Sequence, residues 1–113
     1  MEAVILWKGV KRNQDGNDLS NFVYVKFEGE KLGEVAYGDH ERGVIYTFYR
    51  TSDGQIVLHE VDWSKWLDEA DYGNVLVFSS IEAAAENHRL LMERAGLIER
   101  VTMSLDEYVA NEN

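Results

Sequence analysis

The chain has 113 residues with neither Cys nor Pro, and 11 Lys+Arg against 21 Asp+Glu give a formal net charge of −10. The missing cysteine excludes a disulfide framework, a thiolate nucleophile and a Cys-type zinc site. The acidic balance, with no basic block, argues against direct binding to a nucleic-acid backbone or to an anionic membrane surface, since both need Lys and Arg.

A hydrophobic share of 45% with 12% aromatics predicts one folded domain spanning 1–113. Residues 3–7 are apolar on both faces, as in a central or covered strand. That run is too short for a signal h-region, and no stretch approaches the ~20 apolar residues of a membrane span. A cytoplasmic setting is therefore expected. Residues 11–20 are polar and read as a loop. Its segment 13–18 is oxygen-rich like a calcium loop but lacks the required order of ligands and the distant Glu. Next, 22–28 alternate, with Val23, Val25 and Phe27 on one face. Residues 29–33 read as a turn and 34–37 as a short strand.

The runs 44–51 and 56–61 are rich in β-branched and aromatic residues and flank Asp53-Gly54, a strong hairpin signal. A two-residue turn there pairs Thr51 with Ile56, Tyr49 with Leu58 and Phe48 with His59. One face then carries Tyr46, Phe48, Val57, His59 and Val61. The other carries Ile45, Thr47, Tyr49, Ile56, Leu58 and Glu60. Both faces are apolar. A helix covers one, and the other needs a loop, a second sheet or a second subunit, which admits a homodimer through the sheet face.

Residues 75–78 read as a buried strand. Ser79 and Glu82 have capping-box spacing before a helix over 80–95. Ile81, Ala84, Ala85, His88, Leu91, Met92 and Ala95 form its apolar stripe, and Gly96 stops it. A strand over 99–103 and a short helix from 104 through 110 complete the chain. The predicted fold is α+β: an antiparallel sheet of about five to seven strands with one main amphipathic helix on one face.

Chemistry-bearing residues concentrate in 62–72. Trp63 and Trp66 lie three apart, with Asp62, Asp68, Glu69, Asp71 and Tyr72 around them. On a helical turn the two Trp share a face. Tryptophan is favoured at binding hot spots, and carboxylates orient a basic partner. The competing reading has both Trp cover the open sheet face while the acids keep the loop soluble. Gly38 to Gly43 brackets Asp39, His40, Glu41 and Arg42, but neighbours in an extended chain point apart, so a solvated turn is expected. His59 and His88 would approach each other if the helix packed on the Phe48 face. That juxtaposition, with His40, is the alternative polar site of a small ligand-binding domain or enzyme. No metal-ligand spacing supports it, and satisfied core histidines are preferred. Residues 100–108 resemble the opening of a ribbon-helix-helix unit, without room for its second helix. No nucleotide-binding loop or nucleophile motif occurs, so no catalytic residue, cofactor or metal is assigned.

The block 49–54 (Tyr-Arg-Thr-Ser-Asp-Gly), then Val57-Leu58-His59, Trp63, Trp66 and 75–80, resembles a pattern in small bacterial proteins of the EXLDI family, over about a third of the chain. The family's closing Glu-x-Leu-Asp-Ile motif is not matched, since Leu105-Asp106 is followed by Glu107. The family is functionally uncharacterised, so the resemblance supports only the order hairpin, strand, helix. The expected function is that of a non-enzymatic interaction protein with an acidic, aromatic surface for a basic protein partner. Its concrete form is an inhibitor from a phage or mobile element that occupies the basic groove of a nucleic-acid-binding protein.

Overall fold

A computed structural model describes residues 1–12, 20–100 and 102–112. Five strands, β1 (Glu2–Arg12), β2 (Asn21–Gly38), β3 (Arg42–Thr51), β4 (Ile56–Ser64) and β5 (Ala70–Phe78), precede α1 (Ile81–Arg94) and α2 (Leu105–Glu112). The fold is thus α+β, with five antiparallel strands and two helices among the described residues. Each strand pairs with the next, and β5 returns to β1 to close a barrel. Closure covers the second apolar face that the sequence left open: the sheet curls onto itself. Among the described residues no helix is long and apolar enough to cross a membrane. The oxygen-rich segment 13–18 lies outside the described residues for all its length.

β2 is one strand of 18 residues where a strand, a turn and a short strand were expected. Its first half pairs with β1 and its second half with β3, and Gly29 is the changeover, opposite both Glu2 and Thr51. A register shift between Lys31 and Gly33 accommodates the bend. The displaced residue is Leu32, which packs against the helix-side core. Gly29 and Gly33 therefore mark a bend, which composition alone cannot tell from a turn.

The hairpin of β3 and β4 forms, with a longer loop than expected. Thr51 N–H bonds the Gln55 carbonyl, and Gly54 N–H bonds the Thr51 carbonyl with Gly54 at φ +85°. This is a three-residue loop with glycine in the left-handed bulge position. It sets Tyr49 opposite Val57, Phe48 opposite Leu58 and Thr47 opposite His59. The register therefore differs by one residue from the two-residue turn, and such a slip regroups the faces. Phe48, Ile56 and Leu58 share the outer face, whereas Thr47, Val57 and His59 share the inner one.

α1 packs on that outer face. Phe48 and Leu58, both 0% exposed, form a core with Ile56, Ala84 and Met92, flanked by Leu76, Phe78, Ile81, Ala85, Leu91 and Leu97. The stripe predicted for the helix is the one used. The N-cap is Ser80, not Ser79: its Oγ accepts from Ala83 N–H. At the other end Gly96 takes φ +77°, with Gly96 N–H bonded to the Glu93 carbonyl and Leu97 N–H to the Met92 carbonyl. That is a Schellman stop, and it returns Leu97 to the core. Of the predicted strand 99–103, residues 99, 100, 102 and 103 are not strand, and Val101 lies outside the described residues. Ser104 Oγ caps α2 through Glu107 N–H.

Candidate functional site

α1 covers only part of the outer face of β3, β4 and β5. Along the strands the register sets up cross-strand rows: Phe48–Leu58–Leu76 and, two residues further along, Tyr46–Glu60–Asn74. Beyond them come Tyr37–Val44–Asp62–Tyr72–Val10 and then Arg42 beside Ser64. The first of these rows lies under the helix. Val44, Asp62 and Tyr72 of the third row, with Arg42 and Ser64, open into a groove of about 320 Å³ that Glu69 also lines.

Local bonding fixes the rim. The loop 65–69 turns where Glu69 N–H bonds the Trp66 carbonyl, and Trp66 N–H bonds Ser64 Oγ. Asp71 Oδ1 accepts from Ser64 N–H across the same turn. The neighbouring loop between β2 and β3 is held by Asp39 Oδ1, which accepts from Glu41 N–H and Arg42 N–H. These two bonds hold the Asp39 carboxyl below the usual carboxylate range. Lys65 N–H reaches the Glu41 carbonyl, and Arg42 Nη2 lies 2.7 Å from Glu69 Oε1. The two loops are therefore tied together at one end of the barrel.

The acid-rich segment read from the sequence is this end of the molecule, but its parts are distributed differently from a helical turn. Trp63 is on β4 and half-buried, and its indole Nε1 packs over Gly43, where a Cβ would lie only 3.0 Å away. Trp66 is in the loop and 42% exposed, with Lys65 Nζ 5.4 Å above its ring. The two Trp thus lie on different elements. Leu67 (66% exposed) adds apolar surface next to Trp66 in the loop, and Tyr72 (51%) adds it on β5 opposite Asp62. Asp62 and Asp68 are exposed, Glu69 is shared with Arg42, and Asp71 is used by the backbone. Glu60, just before that segment, faces the same way as Asp62 two residues on, opposite Tyr46 and next to the groove lining. Burial first, then the charges of Glu60 and Asp62, push the Tyr46 hydroxyl up. Arg42, Val44 and Glu60 could have been found from strand parity, once the turn length was known.

The histidines do not converge. His59 is on the inner face, and its Nε2 donates to the Trp7 carbonyl at 2.8 Å, with the Trp7 ring edge-on. Burial lowers its basicity, the hydrogen bond opposes that, and the Lys11 charge adds to it. His88 lies on α1, edge-on to Phe78 at 5.4 Å between centroids, on the other side of the sheet. His40 is exposed in the loop between β2 and β3. The register slip separates His59 from His88: in the expected register His59 shared the Phe48 face. Among the described residues no three His, Asp or Glu side chains are placed to hold a metal ion. Comparison with family models, with curated proteins and with solved structures finds no match for this chain.

Proposed function

We propose that the protein is a non-enzymatic interaction module that docks the β4–β5 end of its barrel on a basic protein surface. One observation carries this reading. Exposed Trp66 and Leu67 share a bonded loop with Asp68, and the strands that the loop joins carry the exposed cross-strand pair Asp62 and Tyr72. Apolar anchors with a surplus of carboxylates around them, here Asp62, Asp68, Glu69 and Asp71 against Arg42 and Lys65, have the composition of a hot spot with an electrostatic rim. The partner in its concrete form is a nucleic-acid-binding protein whose basic groove the module fills, in the cytoplasm, as a phage or mobile-element inhibitor would. A homodimer through the groove face is the weaker reading, because self-pairing would bring Glu60 and Asp62 toward their own copies.

The test is titration of the labelled protein with a basic nuclease at low and high salt. Binding that weakens with salt, and falls at least about tenfold in Trp66→Ala, is expected. Binding that ignores both salt and Trp66→Ala would overturn the proposal.

A further inference from the structure

The groove beside the docking loop has its own chemistry. Its lining includes Val44, with Asp62 on the neighbouring strand and Tyr72 beyond Asp62; Tyr37, on the other side of Val44, accepts from Arg94 of α1 at 2.7 Å. Glu60 follows Asp62 on the same face, one row nearer α1. Two carboxylates, Asp62 and Glu69, line the groove itself. Arg42, a cation in the groove lining, is engaged at the rim by Glu69. That ion pair is solvent-exposed on both sides, 62% and 36%. Exposed pairs of this kind exchange at little cost. An incoming cation can therefore share or take Glu69 without first breaking a buried contact. About 320 Å³ is the lower end of ligand-pocket sizes. It suits one long side chain rather than a cofactor.

We propose that this groove seats a lysine or arginine side chain of the docked partner, its cationic head between the Asp62 carboxylate and the Tyr72 ring, its stem on Val44. The inference rests on the docking reading above and gives it a specific socket. A carboxylate and an aromatic ring face together favour an organic cation: one supplies charge, the other a quadrupole. Apolar stems of Lys and Arg pack on aliphatic floor residues while the head stays polar. An acidic or neutral side chain gains neither. Arg42 holds Glu69 at the rim until the partner's cation arrives.

The experiment uses the full chain, isotope-labelled, titrated with capped tetra-arginine, tetra-lysine and tetra-glutamate peptides and followed by amide resonances. Shifts from the two cationic peptides should concentrate at Val44, Asp62, Glu69 and Tyr72. Tetra-glutamate should give none there. Asp62→Asn and Tyr72→Leu, both at exposed positions, should each weaken the titration about two- to fivefold with the rest of the spectrum retained. Preference for tetra-arginine assigns a guanidinium, and preference for tetra-lysine an ammonium; either supports the socket. Shifts spread equally over Glu82 and Glu86 of α1, or unchanged in Asp62→Asn, overturn it. If a basic nuclease binds through Trp66 while the peptides ignore the groove, the socket falls and the docking reading stands. If the peptides fill the groove and no basic protein binds, the docking reading falls alone.

Discussion

The two ends of one sheet face differ in what lies on them. Under α1 the outer face of β3, β4 and β5 presents Phe48, Leu58 and Leu76, and the helix returns Ala84 and Met92. A few residues along the same strands it presents Val44, Asp62 and Tyr72, with nothing from α1 on them. Strand geometry is the same in both places. The side chains differ: where the helix stops, the sequence substitutes carboxylates and tyrosines for aliphatics. A face that water must reach is thereby made compatible with water, and made selective.

Substitutions separate the two ends. Phe48→Ala removes a fully buried ring and should cost about 3–5 kcal/mol in urea unfolding. Tyr72→Leu, at a half-exposed position, should change stability by less than about 0.5 kcal/mol and be felt in binding. If Tyr72→Leu destabilises as Phe48→Ala does, the groove is core and the contrast collapses. Next in size is the cap that anchors the covering helix. Ser80→Ala deletes the acceptor for Ala83 N–H and should cost about 1 kcal/mol in the same assay.

The pH dependence of stability probes the inner face instead. His59 is held below its ordinary value of 6.5, mainly by burial. As pH falls through about 6.5 the unfolded chain takes up the proton first. The contribution from His59 is therefore complete above that value and is lost as pH falls toward the lower folded-state value. Thermal melts through this window should show the slope, and His59→Gln should flatten it. A slope that persists unchanged in His59→Gln would assign it to other groups. Smallest is the rim: Arg42→Gln breaks an exposed pair and should shift unfolding by no more than about 0.5 kcal/mol. Any larger loss would mean that the pair holds the two loops together.

Much of the helix was legible because its signals are local. The stripe from Ile81 to Ala95, the stop at Gly96 and the Ser104 cap are short-range patterns, and Ser79-Ser80 misled by only one residue. Barrel closure was not legible. It depends on the coiling of β2 through Gly29 and Leu32, and glycine marks a bend and a turn alike. Asp53-Gly54 correctly announced a hairpin, but a two-residue and a three-residue loop share that dipeptide. The difference of one residue carried His59 to the inner face. The acidic segment 62–72 was found by composition. Its partners in space, Arg42, Val44 and Glu60, required the register.

The bond from His59 to the Trp7 carbonyl joins residues 52 apart in sequence. It lies just past the short ladder in which Gly9–Arg12 meets Ala70–Gly73. Among the described residues every other strand pairing is between chain neighbours, so each can form locally. The seam alone must wait for the ends of the meander to meet, and closing so long a loop has an entropic cost that local pairings avoid. The order of assembly follows: pairings between chain neighbours first, the β1–β5 seam last. In native-state hydrogen exchange the seam should accordingly open before the β3–β4 ladder does.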